Sequence, residues 1–132
     1  MAFKPVTKAA FLVPSGTSLK PDAFHLHVIL TEACKDGQHL IGSIGSIYPD
    51  KFNDPTCEFK GGEHSFIKHP SFFEYRRLRT VPGTHLTKCV DGWEYKTKTA
   101  ITEAIYQKIC AGIDVSNFTP QWVLGYWDEN KP

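Results

Sequence analysis

The chain has 132 residues, 15 Lys and Arg against 14 Asp and Glu, a formal net charge of +1 and a hydrophobic content of 41%. These values predict one globular domain with a single core, and they exclude both a disordered chain and a broad basic surface for coating nucleic acid. No apolar run reaches the roughly 18 residues of a membrane span, and the run at residues 9–14 is too short for a signal peptide. We therefore expect a cytoplasmic protein without a membrane segment.

The first part of the chain predicts two strands joined by a loop. Phe11–Pro14 is a short apolar run that ends at a proline, and residues 15–23 are rich in Gly, Ser, Thr and Pro. Phe24–Thr31 is apolar and β-branched, which is typical of a strand. Because side chains alternate along a strand, His25 and His27 are expected to share one of its faces.

A hairpin is predicted next. The pair Asp36-Gly37 separates the second strand from His39–Tyr48, and an Asp-Gly pair between two apolar runs is a strong turn signal. Gly42 and Gly45 lie inside this third run. Glycines within a strand indicate a bend, a bulge or the close approach of another backbone.

The segment Gly61–Arg79 (GGEHSFIKHPSFFEYRRLR) concentrates two histidines, one lysine and three arginines among four aromatic residues. Cys57–Phe59 precedes it as a short predicted strand. Ser71–Leu78 alternates between polar and apolar residues, so we predict a half-buried or edge strand. Such a strand would direct Arg76 and Arg77 to opposite faces.

One segment predicts a helix, Thr99–Ile113. Its apolar residues recur at helical spacing, Thr99 is a candidate N-cap, and Gly112 suits the C-terminal end. The aromatic tail, residues 114–132, is expected to pack back onto the sheet, with residues 128–132 frayed. The whole chain therefore predicts a mainly β, α+β domain: a small curved β barrel over residues 10–98 with one C-terminal helix. A two-layer α+β sandwich is the alternative.

The order of FLVPSG, HLHVILT and HLIGSIGSI resembles the opening of MazF/PemK-type ribonuclease toxins. The later run RRLRTVPGTHLTKCVDGW, followed by the helix, is similar to the closing strand, corner and C-terminal helix of that family, so the resemblance covers roughly residues 10–113. It implies an SH3-like barrel, a toxin-type endoribonuclease that acts on single-stranded RNA without metal, a homodimer, and a small antitoxin-like partner protein. The family's catalytic Arg falls on His25, and its Ser/Thr falls on Ser43 or Ser46.

Metal-free RNA cleavage needs proton transfer at the 2′-oxygen and 5′-oxygen and a cation at the phosphate. Histidine suits the proton steps and arginine suits the phosphate. We therefore assign His25 and His64 as acid and base, Arg76 or Arg77 as the phosphate ligand, and Ser46 as a supporting hydrogen-bond donor. The candidates for substrate contacts are Ser43, Lys68, His69, Ser71 and Tyr75.

Two other interpretations are considered. A barrel that has lost the catalytic Arg would be a non-catalytic module that binds RNA or a protein. The combination of Cys57, His64 and His69 matches no common zinc spacing, so we expect neither a metal nor a cofactor. The four cysteines lack a CxxC pair and are expected to be reduced thiols.

Overall fold

In the computed structural model, which describes residues 3–14 and 24–132, the chain is an α+β fold with a mostly antiparallel sheet and three helices. The strands are β1 Ala10–Pro14, β2 Phe24–Ile29, β3 Gln38–Ser46, β4 Glu58–Phe59, β5 Ser71–Phe73, β6 Arg79–Pro82 and β7 Lys96–Lys98. The helices are α1 Gly83–Asp91, α2 Glu103–Gly112 and α3 Gln121–Asn130, and a 3₁₀ turn spans Tyr75–Arg77. None of the helices in the described ranges is long and apolar enough to cross a membrane.

The sheet is built around the long strand β3. The strand order is β4-β5-β3-β2-β1-β7. Strand β6 stands outside this order and also pairs with β3. Gln38–Ile41 of β3 pairs with β6, whereas Ile44–Ser46 pairs with β5. Within the described residues the two ends of this strand order, β4 and β7, do not pair with each other, so the sheet does not close. The broader α+β prediction is confirmed, and a closed barrel is not observed.

The two faces of the sheet carry different clusters of buried side chains. Leu26 and Val28 of β2 pack with α2 and α3 in the larger cluster. Ile29 of β2 lies on the other face, in a smaller cluster with Phe11 and with Leu86 of α1. Alternation along β2 therefore places its odd-numbered residues on the face that α1 partly covers.

Several predicted features are confirmed. The second and third strands pair antiparallel, and Gly37 adopts a positive φ of 73° in the turn before β3. Gly42 does mark a close approach, but the neighbour is the ring of Phe73 rather than a backbone, and the ring occupies the place of a Cβ. The predicted loop at residues 15–23 lies outside the described residues.

The predicted strand Ser71–Leu78 is only half right. Strand β5 ends at Phe73, and the chain then turns through the 3₁₀ segment. Tyr75 is fully buried, and its hydroxyl donates to the Ile109 carbonyl of α2 at 2.6 Å. Drawing this residue under the helix breaks the alternation, so Arg76 and Arg77 do not point to opposite faces of a strand.

The prediction of one helix is wrong, because the described part of the chain contains three. The predicted helix begins later, at α2, where the Thr102 side chain rather than Thr99 accepts the cap bond from the Ile105 amide at 3.2 Å. The tail does pack back, through Val123 and Trp127 of α3. It is not frayed from residue 128, because α3 extends to Asn130.

Two helical glycines test this packing. A Cβ at Gly112 would overlap the Tyr75 hydroxyl, whereas a Cβ at Gly125 would meet nothing within 4 Å. We expect Gly112→Ala to lower the free energy of unfolding by about 1–3 kcal/mol through overpacking. Gly125→Ala should raise it by about 0.5–1 kcal/mol, because alanine has the better helix propensity. Urea unfolding measures both, and equal effects at the two sites would contradict this packing of Tyr75 under α2.

Candidate functional site

The sheet face opposite α2 and α3 carries a group of polar side chains, here called the histidine face: His25, His27, Ser43, Glu74, Arg77 and Arg79. The strand register puts His27 directly opposite Ser43, and Arg79 opposite Ile41. Ile41 belongs to the smaller cluster, so Arg79 lies on the same face as the two histidines. Alternation in three neighbouring strands thus brings imidazole, hydroxyl and guanidinium groups together.

His27 is the inner imidazole of this face. Its ring stacks on Phe11 with centroids 6.0 Å apart, and its Nδ1 lies 3.1 Å from the His25 carbonyl oxygen. The pKa of His27 is lowered from 6.5 to about 4, mainly by burial and in smaller part by the positive charge of Arg79, against the hydrogen bond to the His25 carbonyl, which raises it. His27 is therefore neutral near pH 7 and acts as a packed, uncharged part of the face.

His25 is the outer, exposed imidazole. Burial of its ring atoms is the main cause that lowers its pKa, Arg77 lowers it as well, and Glu74 opposes both. A carboxylate and a guanidinium therefore both act on this ring. Because its pKa lies below the ordinary value, the neutral form predominates near pH 7, and a neutral imidazole can accept a proton.

Glu74 connects the 3₁₀ turn to the sheet, and, like Arg79, it is a residue that the sequence analysis did not assign to the site. Its amide donates to the Ser43 carbonyl at 2.9 Å, and its carboxylate lies over Gly45, whose missing side chain leaves the room. The same carboxylate oxygen is 3.0 Å from Arg76 Nε and 3.9 Å from Arg77 Nε. The available signal was an acid separated by one residue, Tyr75, from an arginine pair.

The two arginines have different surroundings. The Arg76 guanidinium lies 3.7 Å from the centroid of the Phe52 ring and also bonds Glu74, so it is held in place. The Arg77 side chain is 68% exposed, is farther from Glu74, and acts on His25. Arg77 is accordingly the better candidate for a phosphate ligand at this face.

His64 is not brought to the histidine face. Its Nε2 lies 2.6 Å from the Thr99 carbonyl, and its Nδ1 accepts from the Phe66 amide at 3.0 Å. Since Nδ1 accepts, the proton is on Nε2, which donates to Thr99. Both nitrogens are used to hold the 64–67 turn against the chain beyond β7, so this imidazole has a structural position and does not act with His25.

The predicted serines separate. Ser43 is buried on the histidine face beside His27. Ser46 is at the end of β3, and alternation puts it on the opposite face from Ser43. Ser71, its partner in β5, is buried and donates to the His69 carbonyl at 2.8 Å. Of the three, Ser43 is the one that the structure brings to the histidines.

The other predicted substrate contacts also lie apart from this face. Lys68 and His69 are exposed, in the segment between the 64–67 turn and β5. Tyr75 was expected at the surface, and its full burial with the hydroxyl bonded to α2 corrects that expectation. A ring at this position supports the core and cannot stack on RNA.

Metal-ligating residues do not cluster in the described residues: no group of three or more His, Cys, Asp or Glu side chains is placed to hold an ion. The cysteines Cys34, Cys57, Cys89 and Cys110 are free thiols. Burial raises the pKa of Cys57 and of Cys110 to about 11, which keeps both protonated and unreactive near pH 7.

A comparison of the chain with protein-family models finds no match, and a comparison with curated proteins finds no significant one. The resemblance to MazF/PemK-type toxins therefore stays a prediction. The interpretation of the histidine face depends on its geometry and charges.

The low pKa of His27 has a consequence for stability. In the unfolded chain this imidazole binds a proton near pH 6.5, whereas in the folded chain it does so only near pH 4. The contribution of the neutral His27 ring to the free energy of unfolding is therefore fully present above about pH 6.5. It is lost as the pH drops to about 4, and the loss is up to about 3 kcal/mol. We expect His27→Phe, which keeps a ring against Phe11, to remove this component. Urea unfolding across that range measures it, and an identical pH slope in parent and variant would refute the assignment.

Proposed function

We propose that the protein is a metal-independent endoribonuclease that cleaves single-stranded RNA and leaves a 2′,3′-cyclic phosphate. The observation that carries the proposal is the grouping of His25, Glu74 and Arg77 at the exposed part of one sheet face, with Arg79 and the neutral His27 beside them. A proton acceptor and phosphate ligands at one surface are what such cleavage requires.

The reaction assigns one role to each group. His25, neutral near pH 7, takes the proton of the ribose 2′-hydroxyl, and the 2′-oxygen attacks the adjacent phosphorus. Arg77 and Arg79 stabilise the added negative charge of the pentacoordinate phosphate. The bond from phosphorus to the 5′-oxygen breaks, and that oxygen takes a proton from water. Glu74 orients Arg77 and does not touch the reacting atoms.

The resemblance to MazF/PemK-type toxins supports the same proposal. It takes the open sheet to be a divergent SH3-like arrangement in which His25 stands at the family's Arg position. A homodimer, a small antitoxin-like partner protein and a cytoplasmic location belong to this hypothesis. They are predictions that follow from the resemblance.

A second candidate function is a non-catalytic module that binds RNA or a protein. The observation that favours it is the position of His64, whose two nitrogens are bonded within the fold. This leaves one exposed imidazole at the face, where two-step proton transfer ordinarily uses an acid and a base. Binding of RNA without cleavage would identify this alternative.

Cleavage of labelled single-stranded RNA in EDTA tests the proposed reaction. We expect the parent to cleave, with a rate that falls in acid as His25 becomes protonated, at a pH lower than for an ordinary imidazole because the pKa of His25 is lowered, mainly by burial. His25→Ala should lose about 10²–10⁴-fold in rate. The control is His64→Gln, which should lose stability but retain the parent rate when folded. Failure of the parent to cleave, or an undiminished rate in His25→Ala, would contradict the proposal.

The arginine pair gives a matched comparison. Arg77→Ala should weaken RNA binding and reduce the slope of log K against log salt by about one, as the loss of one phosphate contact requires. Arg76→Ala should instead lower stability, because it removes the contacts with Phe52 and Glu74, while the salt slope is kept. Fluorescence anisotropy at several salt concentrations measures the slope, and the opposite assignment of the two effects would show that the roles are exchanged.

A further inference from the structure

Helix α1 has an unusual residue at its C-terminal end. After the C-cap Gly92, the Trp93 amide donates to Val90 at 3.1 Å and the Glu94 amide donates to Cys89 at 2.9 Å. These two bonds define a Schellman motif, in which the residue after the cap adopts a left-handed conformation and is usually glycine. Here that residue is Trp93, with a φ of 67°.

Trp93 is unfavourable at this position for two reasons. A positive φ is uncommon for a residue with a Cβ and is an outlier for a bulky one. The Trp93 side chain is also 87% exposed, the largest value among the exposed large hydrophobic residues of the described chain. Gly92, which suits a left-handed conformation, stands one position too early with a φ of −82°. Neither packing nor backbone geometry accounts for an indole here, and strain at a surface position is a reason to look for a ligand.

The segment that carries Trp93 leads to the histidine face. Two residues later, the Tyr95 ring stacks on Phe11 with centroids 5.7 Å apart and an interplanar angle of 13°. Phe11 in turn stacks on His27, and the Tyr95 hydroxyl interacts with the Arg79 side chain. The chain then enters β7, an edge strand of the described sheet, with Lys96 exposed.

We propose that Trp93 is the platform on which one unpaired base of a single-stranded RNA stacks, at the outer end of the histidine face. The inference rests on the proposed function, because it names a subsite of the same surface. Trp93 is flanked in sequence by Gly92 and Glu94, which have no apolar side chain, and its 87% exposure leaves the planar indole open to solvent, as base stacking needs. A protein interface would combine such a residue with other apolar groups.

The test uses a fluorescein-labelled 2′-O-methyl RNA of about ten nucleotides. This probe lacks the free 2′-hydroxyl, so it is bound but not cleaved. Trp93→Gly removes the ring and suits the left-handed backbone, Trp93→Phe keeps a ring, and Trp122→Ala is the matched control at another exposed tryptophan. We expect Trp93→Gly to bind roughly tenfold more weakly, with a Tm equal to or above that of the parent. Trp93→Phe should recover most of the affinity, and Trp122→Ala should bind as the parent does.

Three results would overturn the inference: no binding of the probe by the parent, an affinity of Trp93→Gly within about twofold of the parent, or a lower Tm in that variant. A fourth contradicting result would come from sedimentation. If the parent is an oligomer and Trp93→Gly is not, while the RNA affinity is unchanged, the indole is a contact between copies of the chain. Cleavage of unmodified RNA is measured separately. If the parent binds the probe through Trp93 but cleaves no RNA, this inference is supported and the catalytic proposal is refuted. If the parent cleaves RNA and Trp93→Gly binds the probe as tightly as the parent does, the catalytic proposal is supported and this inference is refuted.

Discussion

The burial of Tyr75 under α2 is the constraint on which the histidine face depends. Its hydroxyl bonds the Ile109 carbonyl, and its ring packs against Phe73 with centroids 4.8 Å apart. With both aromatic residues on the helix side of the sheet, the residue between them, Glu74, is left on the other side, over Gly45. A core contact therefore decides on which side of the sheet the Glu74 carboxylate and the arginines beside it lie.

Two neighbouring histidines on one strand have different properties because their surroundings differ. His27 is stacked on Phe11 and neutral, with a pKa lowered to about 4. His25, two residues earlier on the same strand, is exposed, and charges of both signs act on it. Burial makes the inner imidazole a structural group, whereas exposure leaves the outer imidazole able to exchange a proton. The same residue type therefore serves packing at one position and keeps a titratable, exposed ring at the other.

At the periphery of this face, two residues occupy positions that are locally unfavourable. Trp93 occupies a position that favours glycine, and the Arg79 charge lies near an imidazole whose pKa it lowers. The core beneath is by contrast consistent with its sequence at nearly every position: alternating apolar residues in the strands, a capped α2, and glycine where a ring approaches. Trp93 is not the only such misfit among the described residues, because Lys8 also has a positive φ, of 71°, and lies beside Glu103 of α2.

Alternation and turn residues were sufficient to predict β1, β2, most of β3, the turn at Gly37 and the body of α2, because these features depend on neighbours within one segment. They also predicted that His25 and His27 share a face. The sequence did not indicate that Tyr75 would turn into the core, that both nitrogens of His64 would be bonded within the fold, or that Glu74 would lie beside the histidines. Those positions result from contacts between segments distant along the chain, such as Tyr75 with Ile109 and His64 with Thr99. Periodicity within a segment carries no information on which distant segment will bury it, so only the tertiary structure decided which polar residues meet.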